Sequence, residues 1–250
     1  ITKVIHGGLL YDSKGLNRKG GGLSASAISD KDLSDIKTAA EIGVDYLAVS
    51  FAREAKDINM ARKLLKEAGN QGGIIAKIER AEALQNIDEI IESADAIMIA
   101  RGDLGVEIGD AQLPAVQKDL IKKARKKDKV VITATQMMES MITNSIPTRA
   151  EVFDVANAVI DGTDSVMLSS ETALGDHPVD AVEAMSRICE GSEGQSPVSV
   201  IDSDYSIDRI KFDSGIAMAC MLTADNLDAV AIAALTESVS TALSICLLYS

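Results

Sequence analysis

The chain has 250 residues, 46% of them hydrophobic and 25% charged, which is typical of a globular protein and argues against disorder. Its 38 acidic residues outnumber 25 basic ones, and the net charge of −13 argues against binding to nucleic acid or to an anionic membrane surface. No apolar run approaches the ~18 residues of a membrane span, and three cysteines without metal-binding spacing suit a reducing cytoplasm.

The first 28 residues are rich in glycine and serine and predict turns and short strands. A helix then begins after Ser29, a typical N-cap residue, and Gly43 marks its C-terminal end. Five apolar runs separated by helical segments predict strands at 46–51, 73–79, 96–100, 130–134 and 165–168. The runs are continuous rather than alternating, as in parallel strands buried on both faces. Repeated strand–helix units predict an α/β fold.

The composition of the chain changes after residue 190. Residues 191–206 are rich in glycine, serine and aspartate and predict a linker. A helix near 213–226 and an apolar strand at 229–235 follow, which indicates the opening of a second α/β domain. Because the chain does not begin with Met and stops in an apolar run, we expect an internal piece of a longer protein.

Polar side chains stand at the C-terminal ends of four successive predicted strands. Lys77 and Glu79 end the second strand and, two positions apart, face the same side of it. The polar-end residues of the next three strands include Gly102, Asp103, Thr135 and Ser169. A charged pair in an apolar strand is costly unless it is paired or bound to a ligand. A buried salt bridge is one interpretation, and a ligand site is the other, which the convergence of four strands on one rim favours.

Glu79 and Asp103 supply two hard oxygen ligands from successive strands. This donor set suits Mg²⁺, which takes one or two carboxylates and completes its coordination with water and substrate oxygens. Lys77 beside such a metal is placed to stabilise an anionic oxygen. Glycines at 102 and 105 let backbone N–H groups approach an anion closely. The spacing alone predicts a metal-assisted enzyme that acts on a small anionic substrate.

Longer segments of the chain resemble the motifs of pyruvate kinase. They are residues 76–80 (AKIER), 99–108 (IARGDLGVEI), 132–141 (ITATQMMESM), 147–151 (PTRAE) and 167–173 (MLSSETA). The resemblance runs over nearly the whole chain, and these motifs are long and specific. The glycine-rich start, at 14–24, is more similar to the bacterial second-isoenzyme type than to the animal form.

The resemblance implies a partial (β/α)8 TIM barrel of about five βα units, followed by the start of a C-terminal α/β domain. Residues 1–28 would be the tail of an inserted lid domain and the return to the barrel. Residues 29–190 would be the C-terminal part of the barrel, and 191–250 a linker and the start of a regulatory domain. The first three barrel strands would be absent, and five strands cannot close this barrel.

The resemblance also implies an activity, namely transfer of the phosphoryl group of phosphoenolpyruvate to ADP in glycolysis, giving pyruvate and ATP. It implies Mg²⁺ or Mn²⁺ as cofactor, and K⁺ whose ligands are expected in the missing N-terminal part. The full-length protein is expected to be a cytoplasmic homotetramer that binds neither nucleic acid nor membrane.

Site residues carry over from the motifs one by one. Glu79 and Asp103 would hold the divalent metal, and Lys77 would neutralise charge on the transferring phosphoryl group and on the enolate. The backbone of Gly102 and Asp103 and the hydroxyl of Thr135 would hold the substrate carboxylate. Thr135 and Ser169 would belong to the route that protonates the enolate. Arg101, inside the same motif, is expected to hold a loop in place.

Two alternatives stay open at this point. One is a metal-dependent barrel that stabilises pyruvate enolate, such as an aldolase or lyase, which shares the carboxylate pair but does not need the motifs around Thr135 and Ser169. The other is a truncated paralogue that serves as a non-catalytic binding subunit. In either case we expect the isolated chain of 250 residues to be inactive as a kinase.

Overall fold

A sheet of five parallel strands is the centre of the computed structural model, which describes residues 3–9, 18–22, 27–193, 212–236 and 240–249. The strands are β1 (Tyr46–Val49), β2 (Gly73–Ile78), β3 (Ala96–Ala100), β4 (Val130–Ala134) and β5 (Ser165–Met167). Their order in the sheet, β1-β2-β3-β4-β5, is also their order in the chain. Sequential parallel strands joined by helices are the arrangement of a (β/α)8 barrel, so the predicted α/β class is confirmed.

Helices connect the strands and cover one face of the sheet. Before β3 they are α1 (Asp30–Ile42), α2 (Ala55–Glu67), α3 (Ala81–Gln85) and α4 (Ile87–Ser93). Between β3 and β5 they are α5 (Arg101–Ile108), α6 (Leu113–Lys126) and α7 (Arg149–Ile160), with a 3₁₀ turn at Glu139–Ile142 before α7. After β5 they are α8 (Ser170–Ala173), α9 (Pro178–Glu193), α10 (Phe212–Asn226) and α11 (Ser240–Tyr249).

Helix α1 begins and ends at the residues that the sequence predicts. The Ser29 hydroxyl accepts the backbone N–H of Asp32, and the Asp32 carboxylate accepts the backbone N–H of Ser29, which is a complete capping box. Gly43 ends the helix with a φ of 77°, a left-handed conformation in which a side chain is strained. Local sequence therefore determines where α1, the helix that precedes β1, begins and ends.

The two faces of the sheet are buried to different extents. Ile74, Ala76 and Ile78 of β2 are fully buried in the apolar core that the sheet shares with α2, α4 and α6. The side chains between them, Ile75 and Lys77, are only half-buried. Burial on both faces, as predicted for all strands, holds for β3 but is wrong for β2. The described residues cover one face of the sheet with helices and leave part of the other face open.

The C-terminal segment differs from its prediction in two elements, a strand that is not formed and helix α11, which was not predicted. Helix α10 lies at the predicted place and packs against α11 through Ala217, Met221 and Ile245. The predicted strand at 229–235 is wrong, because this segment has no strand structure. A strand requires a hydrogen-bonded neighbour, and the only sheet among the described residues consists of β1 to β5.

Two parts of the predicted domain division fall on undescribed residues. Most of the predicted linker, 194–206, lies outside the described residues, whereas 191–193 belong to α9. Much of 1–28 lies outside them as well, so the predicted boundaries of the lid and regulatory domains stay predictions. In the described parts of the chain, no helix combines the length and apolar character that crossing a membrane requires.

Candidate active site

The predicted site residues lie where the five parallel strands end. We call this end of the sheet, formed by the C-terminal ends of the strands, the edge of the candidate site. Register places Lys77 of β2 beside Met98 of β3, and Ala100 of β3 beside Ala134 of β4. The segments that follow these strands therefore start side by side. The residues brought to this edge are Lys77, Glu79, Gly102, Asp103, Thr135 and Ser169.

Lys77 and Glu79 form an ion pair, with 2.6 Å between Lys77 Nζ and Glu79 Oε1. Glu79 is only 2% exposed, and its other oxygen, Oε2, accepts the backbone N–H of Phe51 at 2.7 Å. Lys77 also donates to the Ser50 hydroxyl at 2.9 Å. The lysine side chain remains 25% exposed. The salt bridge considered in the sequence analysis therefore exists, but one of its partners still faces the open side of the sheet.

Gly102 and Asp103 belong to the first turn of α5, directly after β3. The sequence analysis missed this helix, because its eight residues include two glycines, which weaken helix propensity by about 1 kcal/mol each. The first N–H groups of a helix have no partner within it and point out from its N-terminus. One of them, the Gly102 N–H, donates to the Thr135 hydroxyl at 2.8 Å. The helix thus joins the end of β3 to the segment after β4.

Thr135 and Gln136 adopt the left-handed conformation, with φ of 68° and 54°. Such backbone is uncommon for residues other than glycine and requires support from its surroundings. The Arg101 guanidinium supplies it, donating to the Thr135 carbonyl at 2.9 Å and to the Gln136 carbonyl at 3.0 Å. Arg101 is 6% exposed and also pairs with Asp154 of α7 at 2.7 Å. Its contacts support the loop-holding role that the sequence analysis expected.

Ser169 follows β5, and its backbone N–H donates to Glu171 Oε2 at 2.7 Å. The other oxygen of Glu171 accepts the Met138 N–H at 3.4 Å, and the side chain is 2% exposed. Glu171 therefore ties the segment after β5 to the segment after β4 that contains Thr135. Sequence reasoning missed this residue, since its partners are backbone groups that no side-chain pattern identifies.

Glu79 and Asp103 are the candidate metal ligands. Among the residues that the structure describes, no cluster of three or more acidic, histidine or cysteine side chains is arranged to hold a metal ion. A site with two carboxylates nevertheless fits a hard divalent cation that takes its remaining ligands from water and substrate. The carboxylate oxygens of Glu79 are already oriented by Lys77 and Phe51, which is the support that metal-binding side chains commonly receive.

The known proteins similar to this chain are pyruvate kinases. Residues 1–182 match the family described as pyruvate kinase, barrel domain. The chain is 56% identical to pyruvate kinase of Buchnera aphidicola subsp. Acyrthosiphon pisum and 55% identical to pyruvate kinase II of Salmonella typhimurium, over 97% of this chain and 52% of each relative. A crystal structure of a pyruvate kinase from Cryptosporidium parvum superimposes with a TM-score of 0.88 and 38% identity, covering 93% of this chain and 50% of that one. The chain thus spans about half the length of the curated relatives it matches.

Proposed function

Because the chain belongs to the pyruvate kinase family, we propose that the protein carrying it transfers the phosphoryl group of phosphoenolpyruvate to ADP. The observation that carries the proposal is the hydrogen bond from the Gly102 N–H, after β3, to the Thr135 hydroxyl, after β4, at the same edge of the sheet as the Lys77–Glu79 pair. This edge offers backbone donors for a carboxylate, a cation for a phosphoryl group and carboxylates for a metal. Phosphoryl transfer needs mainly such positioning and charge stabilisation.

The proposed substrate contacts follow from the charges at the edge of the sheet. The Asp103 N–H binds the carboxylate of phosphoenolpyruvate at the N-terminus of α5. The Gly102 N–H joins it by exchanging its bond to the Thr135 hydroxyl for one to the carboxylate. The Thr135 hydroxyl does the same with its 2.6 Å bond to the Ala134 carbonyl. Lys77 faces the transferring phosphoryl group and the oxygen that becomes the enolate. Glu79 and Asp103 hold Mg²⁺ or Mn²⁺, which when bound neutralises charge on the phosphoryl oxygens. We assign none of the described residues to K⁺.

The chemistry divides into two steps. A terminal oxygen of ADP attacks phosphorus and the bond from phosphorus to the enol oxygen breaks, leaving ATP and the enolate of pyruvate. Lys77 stabilises the negative charge on that oxygen as it develops. A proton then reaches the methylene carbon of the enolate through the hydroxyls of Thr135 and Ser169, which gives pyruvate. The Glu171 contacts keep these two segments together.

Thr135 provides the test of this proposal in the protein at its natural length. Thr135→Val keeps the branched shape of the side chain but removes the hydroxyl, and we expect kcat/KM for phosphoenolpyruvate to fall about 100-fold, as for loss of one preorganised polar group. Thr135→Ser keeps the hydroxyl and serves as the control, with a loss below about 10-fold. Exchange of the pyruvate methyl protons with solvent measures the protonation step separately.

Two outcomes would contradict the proposal. Absence of pyruvate formation by the wild-type protein, with phosphoenolpyruvate, ADP and Mg²⁺ present, would exclude the kinase function. Unchanged kinetics and proton exchange in Thr135→Val would exclude Thr135 from the site.

The aldolase or lyase alternative loses its support, since the matched relatives are pyruvate kinases. A homotetramer in the cytoplasm remains our prediction for the natural protein.

A further inference from the structure

Glu107 is a buried carboxylate for which the proposed reaction has no use. It lies in the last turn of α5 and is 3% exposed. A carboxylate taken out of water costs free energy unless it is hydrogen-bonded or paired. The burial of Glu107 therefore implies that its carboxylate has a hydrogen-bond partner within the protein.

The Glu107 side chain reaches from α5 to the first residue of α3. Its Oε2 accepts the Ala81 N–H at 2.8 Å. Helix α3 needs such an acceptor, because the residue before it, Arg80, makes no side-chain cap hydrogen bond. A negative charge near a helix N-terminus is also favourable with respect to the helix dipole. Glu107 thus acts as an N-terminal cap supplied by another helix.

Ala81 is the third successive residue of one anchored turn. Glu79 is held by Lys77 and by the Phe51 N–H. The Arg80 guanidinium lies over the Phe51 ring, 5.3 Å from its centroid. The hydrogen bond from Ala81 to Glu107 links this turn to α5.

Helix α5 carries Asp103 one turn away from Glu107. The step of four residues from Asp103 to Glu107 corresponds to a rise of about 6 Å along a continuous helix. A displacement of the Glu107 end relative to α3 is therefore transmitted to Asp103. Glu107 thus adds a second link between the segments of the two proposed metal ligands, beyond the pairing of β2 with β3 at Ile78 and Ile99.

The glycine-rich segment at 18–22 is fastened to the same pair of helices. Gly20 donates its N–H to the Glu107 backbone carbonyl at 2.8 Å. Gly22 donates its N–H to the Glu82 carboxylate on α3. The contact between α3 and α5 is accordingly covered on its outer side.

We propose that Glu107 is a positioning residue that fixes the Glu79 turn relative to the N-terminal turn of α5, and so sets the separation of the two carboxylates that bind the divalent cation. The inference rests on the proposed function only in taking Glu79 and Asp103 as the metal ligands. Glu107 itself contacts neither metal nor substrate. Its effect reaches the site through the Ala81 N–H and through the rigidity of α5.

Two substitutions separate positioning from simple stabilisation. Glu107→Leu removes the acceptor at similar volume, whereas Glu107→Gln retains an oxygen that accepts the Ala81 N–H. The matched control is Glu82→Leu, which removes a carboxylate of α3 that contacts Gly22 and leaves the hydrogen bond between Glu107 and Ala81 in place. All three are made in the protein at its natural length.

The readout is Mn²⁺ binding without substrate, measured by electron paramagnetic resonance of the free ion. We expect the Kd for Mn²⁺ to rise about 10-fold in Glu107→Leu, as for loss of a residue that orients metal ligands, and to stay within 2-fold in Glu107→Gln and Glu82→Leu. Hydrogen exchange of the metal-free protein should show faster exchange of the Ala81 amide in Glu107→Leu and unchanged exchange in Glu107→Gln.

The outcomes distinguish this inference from the proposed function. Equal Mn²⁺ affinity in wild type and Glu107→Leu, with faster exchange at Ala81, would overturn the inference and leave the metal site intact. An equal loss of affinity in Glu82→Leu would also overturn it, since that variant leaves the hydrogen bond between Glu107 and Ala81 in place. No binding of Mn²⁺ by the wild-type protein would overturn the metal site itself and the inference with it.

Discussion

Single residues at this site hold backbone in conformations that the chain alone does not favour. Phe51 has a φ of 56° directly after β1, and Thr135 and Gln136 have φ of 68° and 54° after β4. Each such residue costs about 1–2 kcal/mol relative to ordinary backbone. In every case a buried charged side chain faces the strained segment: Glu79 accepts the Phe51 N–H, and Arg101 donates to both carbonyls after β4. Two other residues with positive φ, Asp128 and Asp228, lie away from this edge, and aspartate adopts the left-handed conformation more readily than most residues.

Arg101 allows this support to be tested. Arg101→Met leaves the Thr135 and Gln136 carbonyls without their donor, and we expect the free energy of unfolding to fall by about 3 kcal/mol and KM for phosphoenolpyruvate to rise about 10-fold. The measurements are the thermal midpoint and steady-state kinetics of the natural-length protein. Lys118→Met is the control, because it removes an ion pair with Asp161 whose lysine is 58% exposed, and such pairs contribute below about 1 kcal/mol. Equal effects of the two substitutions would refute the supporting role of Arg101.

Some roles of individual residues were predictable from the sequence, and others were not. The placement of Lys77 and Glu79 on one side of β2 follows from the strand period of two. Glu107 and Glu171 were not predicted, because each bonds to backbone N–H groups 26 and 33 residues away in the chain, respectively. A contact of that kind depends on tertiary structure and leaves no side-chain pattern. The buried carboxylates beside the site could therefore be identified only from the structure.

At the scale of elements, strands were predicted better than short helices. The bounds of β3 and β4 match the sequence prediction, since buried apolar runs of five residues have few other interpretations. Helix α5 was missed because its two glycines lower its helix propensity. Helix α8 has four residues and is too short to show a helical period. Of these two helices, α5 begins directly after β3 and α8 begins three residues after the end of β5, both at the candidate site. Arg101 and Glu171, in the first turns of these helices, bond to the Thr135 carbonyl and the Met138 N–H, contacts that a local sequence pattern does not reveal.

Helix α7 provides a prediction about pH. Glu151 closes the capping box with Thr148 and also accepts the N–H and hydroxyl of Ser140. Burial alone would raise the pKa of Glu151, but these hydrogen bonds outweigh it and hold the pKa below its ordinary value of 4.5. A lowered pKa in the folded state gives stability that is complete above the unfolded pKa and is lost as the pH falls through the folded pKa.

We therefore expect Glu151→Gln to lower the free energy of unfolding by about 1 kcal/mol at pH 7, the usual contribution of a helix cap. The difference from wild type should narrow once the pH falls below 4.5, because the wild-type carboxylate then gains its proton. Thermal midpoints of both proteins between pH 7 and pH 3 measure this. Glu183→Gln, at an exposed position of α9, should show no such trend. A constant difference across the pH range would contradict the role of the ionised carboxylate.

At the scale of the whole molecule, the sheet is the decisive feature. A (β/α)8 barrel closes with eight strands, and the described residues form five. Tyr46 of β1, at one edge of the sheet, is 56% exposed, and Ile75 and Lys77 of β2 are half-buried on the face opposite the helices. The relatives that this chain matches are about twice as long. The proposed site therefore lies on a face of the sheet that the described residues leave partly open to solvent.

We expect a polypeptide limited to these 250 residues to show no formation of pyruvate from phosphoenolpyruvate and ADP. Water at the open face screens the charge of Lys77, which is 25% exposed, and catalysis by fixed charges requires a site from which water is excluded. The natural-length protein, assayed at the same concentration, is the positive control. Binding of the dye ANS should be stronger to the 250-residue polypeptide, because the apolar side chains of the open face are accessible. Turnover by the short polypeptide would contradict this expectation. It would show that five strands suffice for the reaction, without further residues to cover the open face of the sheet.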